Sequence, residues 1–139
     1  MRFMMIVKAN KDSEAGKLPS EAVLAAMAKY NEELVKAGVM LDGLGLHPSS
    51  KGARVTVKKG KARVIDGPFA ETKELIAGYW LIQVRNREEA IEWAKRIPFD
   101  DAVEDDWIEL RQVGELEDFG PSEASEHHRR IEKQLAKSK

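Results

Sequence analysis

The order of the predicted elements is the feature that most constrains this fold. An apolar run at residues 3–7 is typical of a buried strand. From Ser20 onward, apolar residues recur at steps of three and four until Gly38, which stands where a left-handed cap would end a helix. A second strand is predicted at residues 39–46. The chain therefore begins with a strand, a helix and a strand.

The middle of the chain predicts a tight β-hairpin. Residues 54–57 and 62–65 are rich in β-branched side chains, and Lys59-Gly60 between them favours a two-residue turn because Gly accepts a positive φ. This register predicts three opposed pairs: Val57 with Ala62, Val55 with Val64, and Ala53 with Asp66. Asp66 is thereby predicted at the sheet end from which His47 departs.

A second strand, helix and strand follow the hairpin. Residues 77–84 carry bulky side chains on both faces of a predicted strand, which indicates that neither face is fully solvated. Asn86 with Glu89 three positions later resembles a capping box, and Pro98 ends the helix. Residues 107–113 form the last predicted strand.

This order predicts an α+β fold: a ferredoxin-like antiparallel sheet with two helices on one face and an extra β-hairpin. The open face of the sheet then needs a cover, and we predict a homodimer packed face to face through it, with twofold symmetry. The domain is predicted over 1–119. Residues 120–139 form a charged amphipathic C-terminal helix or tail with a narrow stripe of Ala124, His128, Ile131 and Leu135.

Composition excludes several functions. The chain has 139 residues, the size of one domain, and its 23 Lys and Arg are interspersed with 24 Asp and Glu, so no overall basic field favours nucleic acid. It contains no Cys, which removes disulfides and thiolate chemistry and fits a reducing cytoplasm. The N-terminal apolar run is too short for a signal peptide, and no later run is long enough for a membrane span. We expect a soluble cytoplasmic protein with no nucleic-acid or membrane partner.

The segment Asp66-Gly67-Pro68-Phe69-Ala70-Glu71-Thr72-Lys73-Glu74, followed by Gly78-Tyr79-Trp80, resembles the signature of YCII-related proteins of the DGPF-domain branch. Similar segments elsewhere extend the resemblance over about residues 1–119: Gly45-Leu46-His47-Pro48-Ser49, Glu88-Glu89-Ala90 and Trp93-Ala94. The resemblance implies a dimeric α-β barrel. Its superfamily includes cofactor-free monooxygenases, muconolactone isomerases, haem-dependent chlorite dismutases and small proteins in which a His and Asp pair is suspected of acid–base work. Some DGPF-type members occur beside or fused to extracytoplasmic-function sigma factors.

Asp66 and His47 are the candidate catalytic residues. A carboxylate at a strand end near apolar Phe69 and Trp80 can accept or donate a proton, although Asp66 can equally serve as an Asx-turn that binds backbone N–H groups. An imidazole exchanges protons near neutral pH, so His47 is the natural partner. The loop between the two allows their contact without requiring it, and His47 can instead bond a backbone carbonyl.

The candidate substrate-binding residues are Lys73, Glu71, Phe69 and Trp80. Lys73 is suited to an anionic group, while Glu71 and the nearby Glu74 can either contact a polar ligand or form solvated ion pairs. Trp80 can line a cavity, but an aromatic residue in a strand more often packs in the core.

No metal site or cofactor is predicted. The acidic run at 100–106 lacks the Gly-punctuated spacing of a calcium loop, and His127-His128 point in different directions on a helix. The glycines match no phosphate-binding fingerprint, and no Gly-x-Ser-x-Gly elbow occurs. The leading interpretation is an enzyme that performs isomerisation, elimination or similar proton transfer on a small molecule. The alternative is a non-catalytic ligand-binding or regulatory dimer, with a link to sigma-factor-dependent transcription implied by the resemblance.

Overall fold

The computed structural model of the chain describes residues 1–99 and 106–138. Its strands are β1 (Arg2–Lys8), β2 (Met40–Gly45), β3 (Ala53–Lys58), β4 (Lys61–Asp66), β5 (Ile76–Gln83) and β6 (Ile108–Gln112). Its helices are α1 (Lys11–Glu14), α2 (Glu21–Lys36), α3 (Arg87–Lys95) and α4 (Glu123–Lys137). Single 3₁₀ turns lie at Ser49–Lys51, Thr72–Glu74 and Leu116–Phe119. Two strand–helix–strand units thus flank a hairpin, as predicted, with the short α1 added after β1.

The main sheet has the order β2-β5-β1-β6, and every neighbouring pair is antiparallel. This is the ferredoxin-like arrangement, so the predicted α+β class is confirmed in the single chain. β3 and β4 form a separate two-stranded sheet in which Ala53 opposes Asp66 and Val57 opposes Ala62. The predicted hairpin register is therefore confirmed. The hairpin turn uses positive φ at both Lys59 (52°) and Gly60 (75°), as a two-residue turn requires.

Side-chain caps fix the helix ends close to the predicted positions. The Ser20 hydroxyl accepts from the Val23 N–H before α2, and Gly38 at φ 70° follows its last turn. Asn86 accepts from the Glu89 N–H before α3. The Glu89 carboxylate accepts instead from the Arg85 N–H, so only half of the predicted capping box forms.

The core lies between the helices and one face of the main sheet. It consists of buried apolar residues from both layers: Phe3, Met5, Tyr30, Leu34, Val39, Trp80, Ile82, Val84, Ala90 and Ile97. The opposite face of the sheet is much more accessible. Its residues Met4, Ile6, Tyr79 and Leu81 are half-buried, and Leu44 is exposed. This face is called the open face below.

Three further sequence predictions concern the acidic segment, the C-terminal segment and membrane spans. The acidic segment 100–105 lies outside the described residues, while the neighbouring Asp106 accepts a hydrogen bond from the Asn10 side chain. The division between a domain at 1–119 and a separate C-terminal segment stays a prediction, although that segment forms α4. In the described part of the chain, every helix is too short or too polar to cross a membrane.

Candidate functional site

A cavity of 930 Å³ lies between the N-terminal half of α2, the end of β2, the loop at residues 46–51 and strand β5. Its walls include the apolar side chains of Leu24, Met27 and Trp80. Polar groups at its edge come from Lys17, Asn31, His47, Ser50 and Lys51. An apolar space with a few polar groups is typical of a small-molecule site.

Three glycines of the sheet, which have no side chains, form the floor of this cavity. Gly43 opposes Trp80 and Gly45 opposes Gly78 in the β2–β5 ladder, so all three glycines lie on the face that the helices cover. A Cβ at Gly43 would lie 2.7 Å from the Met40 Cε atom, and one at Gly78 would lie 2.7 Å from the Leu44 carbonyl oxygen. A Cβ at Gly45 would meet no atom within 4 Å in the described structure. Packing against backbone therefore demands glycine at Gly78, while the neighbours of Gly43 are side chains and Gly45 opens onto free space.

Trp80 is both a core residue and a wall of the cavity. It is 7% exposed, and its indole N–H donates to the Asn31 side-chain oxygen at 2.7 Å. Because the side-chain oxygen of Asn31 accepts this bond, its side-chain amide nitrogen can donate to a ligand. Trp80 thus combines the two roles that the sequence left open, although its contact with substrate stays a prediction.

Tyr30 stands behind Trp80 and is not suited to proton transfer. Its ring meets that of Trp80 edge to face at 5.5 Å, and its hydroxyl donates to the Trp93 carbonyl at 2.7 Å. Burial raises the pKa of Tyr30, which keeps the phenol protonated. Its role is to support the cavity wall.

His47 is held at the cavity edge because the loop is anchored on both sides of it. The Leu46 N–H donates to the Ala77 carbonyl at 2.8 Å, which extends the β2–β5 ladder. On the other side, the Ser49 N–H donates to one Glu14 carboxylate oxygen at 2.9 Å, and the Ser49 hydroxyl donates to the other. The His47 side chain is exposed, so a ligand in the cavity can reach it.

Asp66 lies away from this cavity edge. It is exposed at the end of β4 and is not among the residues that line the cavity. Among the described residues, its carboxylate neither bonds His47 nor caps the following backbone, since the Phe69 N–H donates instead to the Ser49 hydroxyl at 3.0 Å. A catalytic pair of Asp66 and His47 therefore stays a prediction that the single chain does not assemble.

The remaining motif residues hold the hairpin against the loop at 46–51. The Phe69 ring lies under the Arg54 guanidinium at 4.0 Å, and the Gly67 N–H donates to the Gly52 carbonyl at 3.0 Å. Glu71 and Lys73 are exposed around the 3₁₀ turn before β5 and do not line the cavity. In the single chain this motif is a structural joint, and the substrate contacts predicted for Phe69, Glu71 and Lys73 stay predictions.

Sequence reasoning missed Glu14, Asn31 and Ser49. Glu14 and Ser49 are 35 positions apart, and no local pattern marks either as the partner of the other. The glycine floor was detectable in principle, because Gly43 and Gly45 stand two apart in a predicted strand and therefore share a face.

Removing the Ser49 hydroxyl tests the anchor of the His47 loop. Ser49→Ala deletes one bond to a charged carboxylate and one from the Phe69 N–H, so we expect a loss of about 1–3 kcal/mol in the free energy of unfolding. Urea titration followed by tryptophan fluorescence measures this loss. Ser50→Ala is the matched control, because Ser50 is exposed beside it and should change stability by less than about 0.5 kcal/mol. Equal effects of both variants would contradict the anchor.

Comparisons with known proteins place the chain in one family. The model of the family described as YCII-related domain matches residues 1–117. Uncharacterized protein R00369 of Rhizobium meliloti (strain 1021) is 33% identical over 75 residues, which are 54% of this chain and 60% of that protein. The match thus spans about 60% of the length of this curated relative. Among solved structures, 5-chloro-2-hydroxyhydroquinone dehydrochlorinase (TftG) from Burkholderia phenoliruptrix AC1100, in complex with 2,5-dihydroxybenzoquinone, is 15% identical with a TM-score of 0.45, covering 82% of this chain and 94% of its own.

Proposed function

The chain belongs to the YCII-related family, and on this premise we propose that it is a small-molecule enzyme that performs acid–base chemistry in the cavity beneath α2. Within the family, the Asp66-Gly67-Pro68-Phe69 sequence favours the DGPF branch. The observation that carries the proposal is a cavity of 930 Å³ lined by His47, whose loop is anchored through the backbone of Leu46 and Ser49. The reaction class is an isomerisation, an elimination or a similar proton transfer.

The lining of the cavity favours a flat, largely apolar ligand with one acidic group. A floor of main chain without side chains accepts a ring face-on, and the walls from Met27 and Trp80 are apolar. Lys17 and Lys51 stand at the edge, where they can attract a carboxylate or a phenolate. An aromatic acid or a phenol satisfies both requirements.

His47 is the proposed acid–base group. A neutral imidazole has one ring nitrogen that can accept a proton from carbon and one that can donate a proton elsewhere. The anchors at Leu46 and Ser49 limit the motion of the loop, which favours a fixed geometry for the transfer. Asp66 is retained as the predicted partner of His47. This role requires the two side chains to meet, which they do not do within the single chain.

We also propose a homodimer through the open face of the sheet. Met4, Ile6, Tyr79 and Leu81 lie together there with Leu44, and antiparallel sheets pack well through such faces. Burying these side chains removes apolar surface from water, which favours association.

A non-catalytic binding or regulatory dimer is the second candidate. It is favoured by the positions of Asp66 and Lys73, which are exposed and do not line the cavity. In this case the cavity binds a ligand without transforming it.

Proton exchange on a bound ligand distinguishes the two candidates. Phenols and aromatic acids that raise the melting temperature would be incubated in D₂O, and ¹H NMR would follow loss of their C–H signals. We expect His47→Gln to slow exchange about 10²- to 10⁴-fold with little change in affinity. His127→Gln, an exposed histidine on α4, should leave the rate unchanged. Binding without exchange or conversion supports the regulatory candidate, and a flat response across the panel counts against both.

A further inference from the structure

Asn31 is a polar residue on the face of α2 that covers the cavity. It stands seven positions after Leu24 and four after Met27, so the three residues share one side of the helix, and all three line the cavity. The first two are apolar, and the third is an amide. Asn31 is half-buried, whereas Lys17 and Lys51 at the cavity edge are exposed. The amide is thus the more enclosed polar group.

Trp80 fixes the orientation of this amide. An indole N–H can only donate, and it donates to the Asn31 side-chain oxygen at 2.7 Å. Turning the amide over would set two donors against each other, so the Nδ2 atom must face away from the indole. Among the described residues, Nδ2 donates to no protein atom, and every fully buried side-chain nitrogen and oxygen has a partner. The Nδ2 atom is therefore accessible, on a residue that lines the cavity.

Asn31 and His47 lie toward opposite ends of the glycine floor. Trp80, which holds Asn31, opposes Gly43, and His47 follows two residues after Gly45. Four residues of extended chain span about 13 Å. The two side chains occupy part of this length, and the remainder accommodates one ring. A single flat ligand can therefore meet the amide at one end and the imidazole at the other.

We propose that Asn31 selects the substrate by donating a hydrogen bond to a carbonyl oxygen. This inference rests on the proposed function and adds the substrate class: a flat carbonyl compound in which the C=O group is conjugated with the ring. The ring lies on the glycine floor, and an acidic substituent faces Lys17 and Lys51. Conjugation is required because the carbonyl oxygen and the carbon that loses a proton lie at separate ends of the cavity.

The same hydrogen bond stabilises the charge that proton removal creates. When His47 takes a proton from a carbon conjugated with the carbonyl, the C–H electron pair forms a new C=C bond. The π electrons of the carbonyl then move to its oxygen, which becomes an enolate. The Asn31 amide donates to this oxygen where the negative charge develops, so the bond strengthens in the transition state. Return of the proton to another carbon completes an isomerisation, and departure of a leaving group with its electron pair completes an elimination.

Two benzoates of similar shape test the donor. 4-Acetylbenzoate has a carboxylate for the lysines and a conjugated ketone oxygen for Asn31, and 4-isopropylbenzoate has a methyl group in place of that oxygen. Isothermal titration calorimetry of the wild type is expected to show at least about 10-fold tighter binding of 4-acetylbenzoate, because only the ketone satisfies the amide.

Asn31→Asp removes the donor and keeps the contact with Trp80. The carboxylate still accepts from the indole N–H, but it has no proton to offer the ketone. We expect the preference for 4-acetylbenzoate to fall below about 2-fold or to reverse. Ser50→Asp is the matched control, because it adds the same charge at the cavity edge. It should weaken both ligands alike and keep the preference. An Asn31→Asp protein that keeps the preference would show that Asn31 only satisfies Trp80, and the proposal would be wrong.

An NMR titration of the wild type tests the donor without any variant. The chain has three asparagines, at positions 10, 31 and 86, so its Asn side-chain amide signals are few. 4-Acetylbenzoate is expected to shift one Asn31 amide proton downfield, and 4-isopropylbenzoate is not. Asn10, whose amide donates to Asp106, provides the internal reference. Saturation with 4-acetylbenzoate without this shift would overturn the proposal.

The outcomes distinguish the donor from the enzymatic proposal. A preference that Asn31→Asp removes, without proton exchange on any ligand of the panel, would support the donor and overturn the enzyme. Exchange that depends on His47, without a preference for 4-acetylbenzoate, would overturn the donor and leave the enzyme standing. Failure of both benzoates to bind the wild type would overturn the substrate class inferred here.

Discussion

Gly67→Ala is expected to lower the free energy of unfolding by about 3 kcal/mol or more. A Cβ at this position would lie 1.8 Å from the Ser49 carbonyl oxygen and 2.6 Å from its carbonyl carbon. Both atoms belong to the backbone, so no rotamer change can relieve the overlap. The loop carrying His47 or the base of the hairpin must move, and the hydrogen bonds that join them are then lost. Urea denaturation followed by circular dichroism measures the effect.

Gly52→Ala is the matched control for this substitution. Gly52 belongs to the same joint, but a Cβ there would lie 3.5 Å from the same Ser49 oxygen, an ordinary contact. Its φ of −118° is open to any residue. We expect a change within about 0.5 kcal/mol. A Gly67→Ala protein as stable as the Gly52→Ala protein would contradict the close approach of the two loops.

Gly45→Leu is expected to abolish ligand binding while the fold is kept. The new side chain would project from β2 into the cavity, because Gly45 lies on the helix-facing side of the sheet and its Cβ would meet no described atom within 4 Å. We expect affinity for any ligand found by thermal shift to fall at least about 100-fold. The leucine also replaces an empty volume with apolar contacts, so the melting temperature of the free protein should not fall.

Gly114→Leu controls for the added side chain itself. A Cβ at Gly114 also meets no described atom within 4 Å, but this residue does not line the cavity. Isothermal titration calorimetry of both variants provides the comparison. Unchanged affinity in Gly45→Leu would show that the ligand binds elsewhere and would remove the cavity from the proposed function.

Local chemistry made much of the fold predictable. The register of the β3–β4 hairpin was predicted correctly because the Lys59-Gly60 turn determines which residues oppose one another. Ser20 and Asn86 marked the starts of α2 and α3, since their side chains accept from the first-turn N–H groups. The order of the elements along the chain predicted the ferredoxin-like sheet that these strands form.

The position of the site was less predictable because it depends on contacts between distant segments. Turn chemistry places Asp66 opposite Ala53, but it does not reveal that the hairpin forms its own sheet outside the cavity. Glu14 meets Ser49 only in the folded chain, where the end of α1 bonds the loop at 46–51. His47, two residues before Ser49, lines the cavity in this arrangement.

The Ser49 hydroxyl joins the proposed ligand site to the base of the β3–β4 hairpin. It donates to Glu14 beside the cavity and accepts from Phe69 at the base of the hairpin. Any ligand that stabilises one arrangement of this hydroxyl also stabilises the hairpin orientation that accompanies it. By thermodynamic linkage, a ligand that tightens the dimer must itself bind the dimer more tightly than the monomer, and by the same factor.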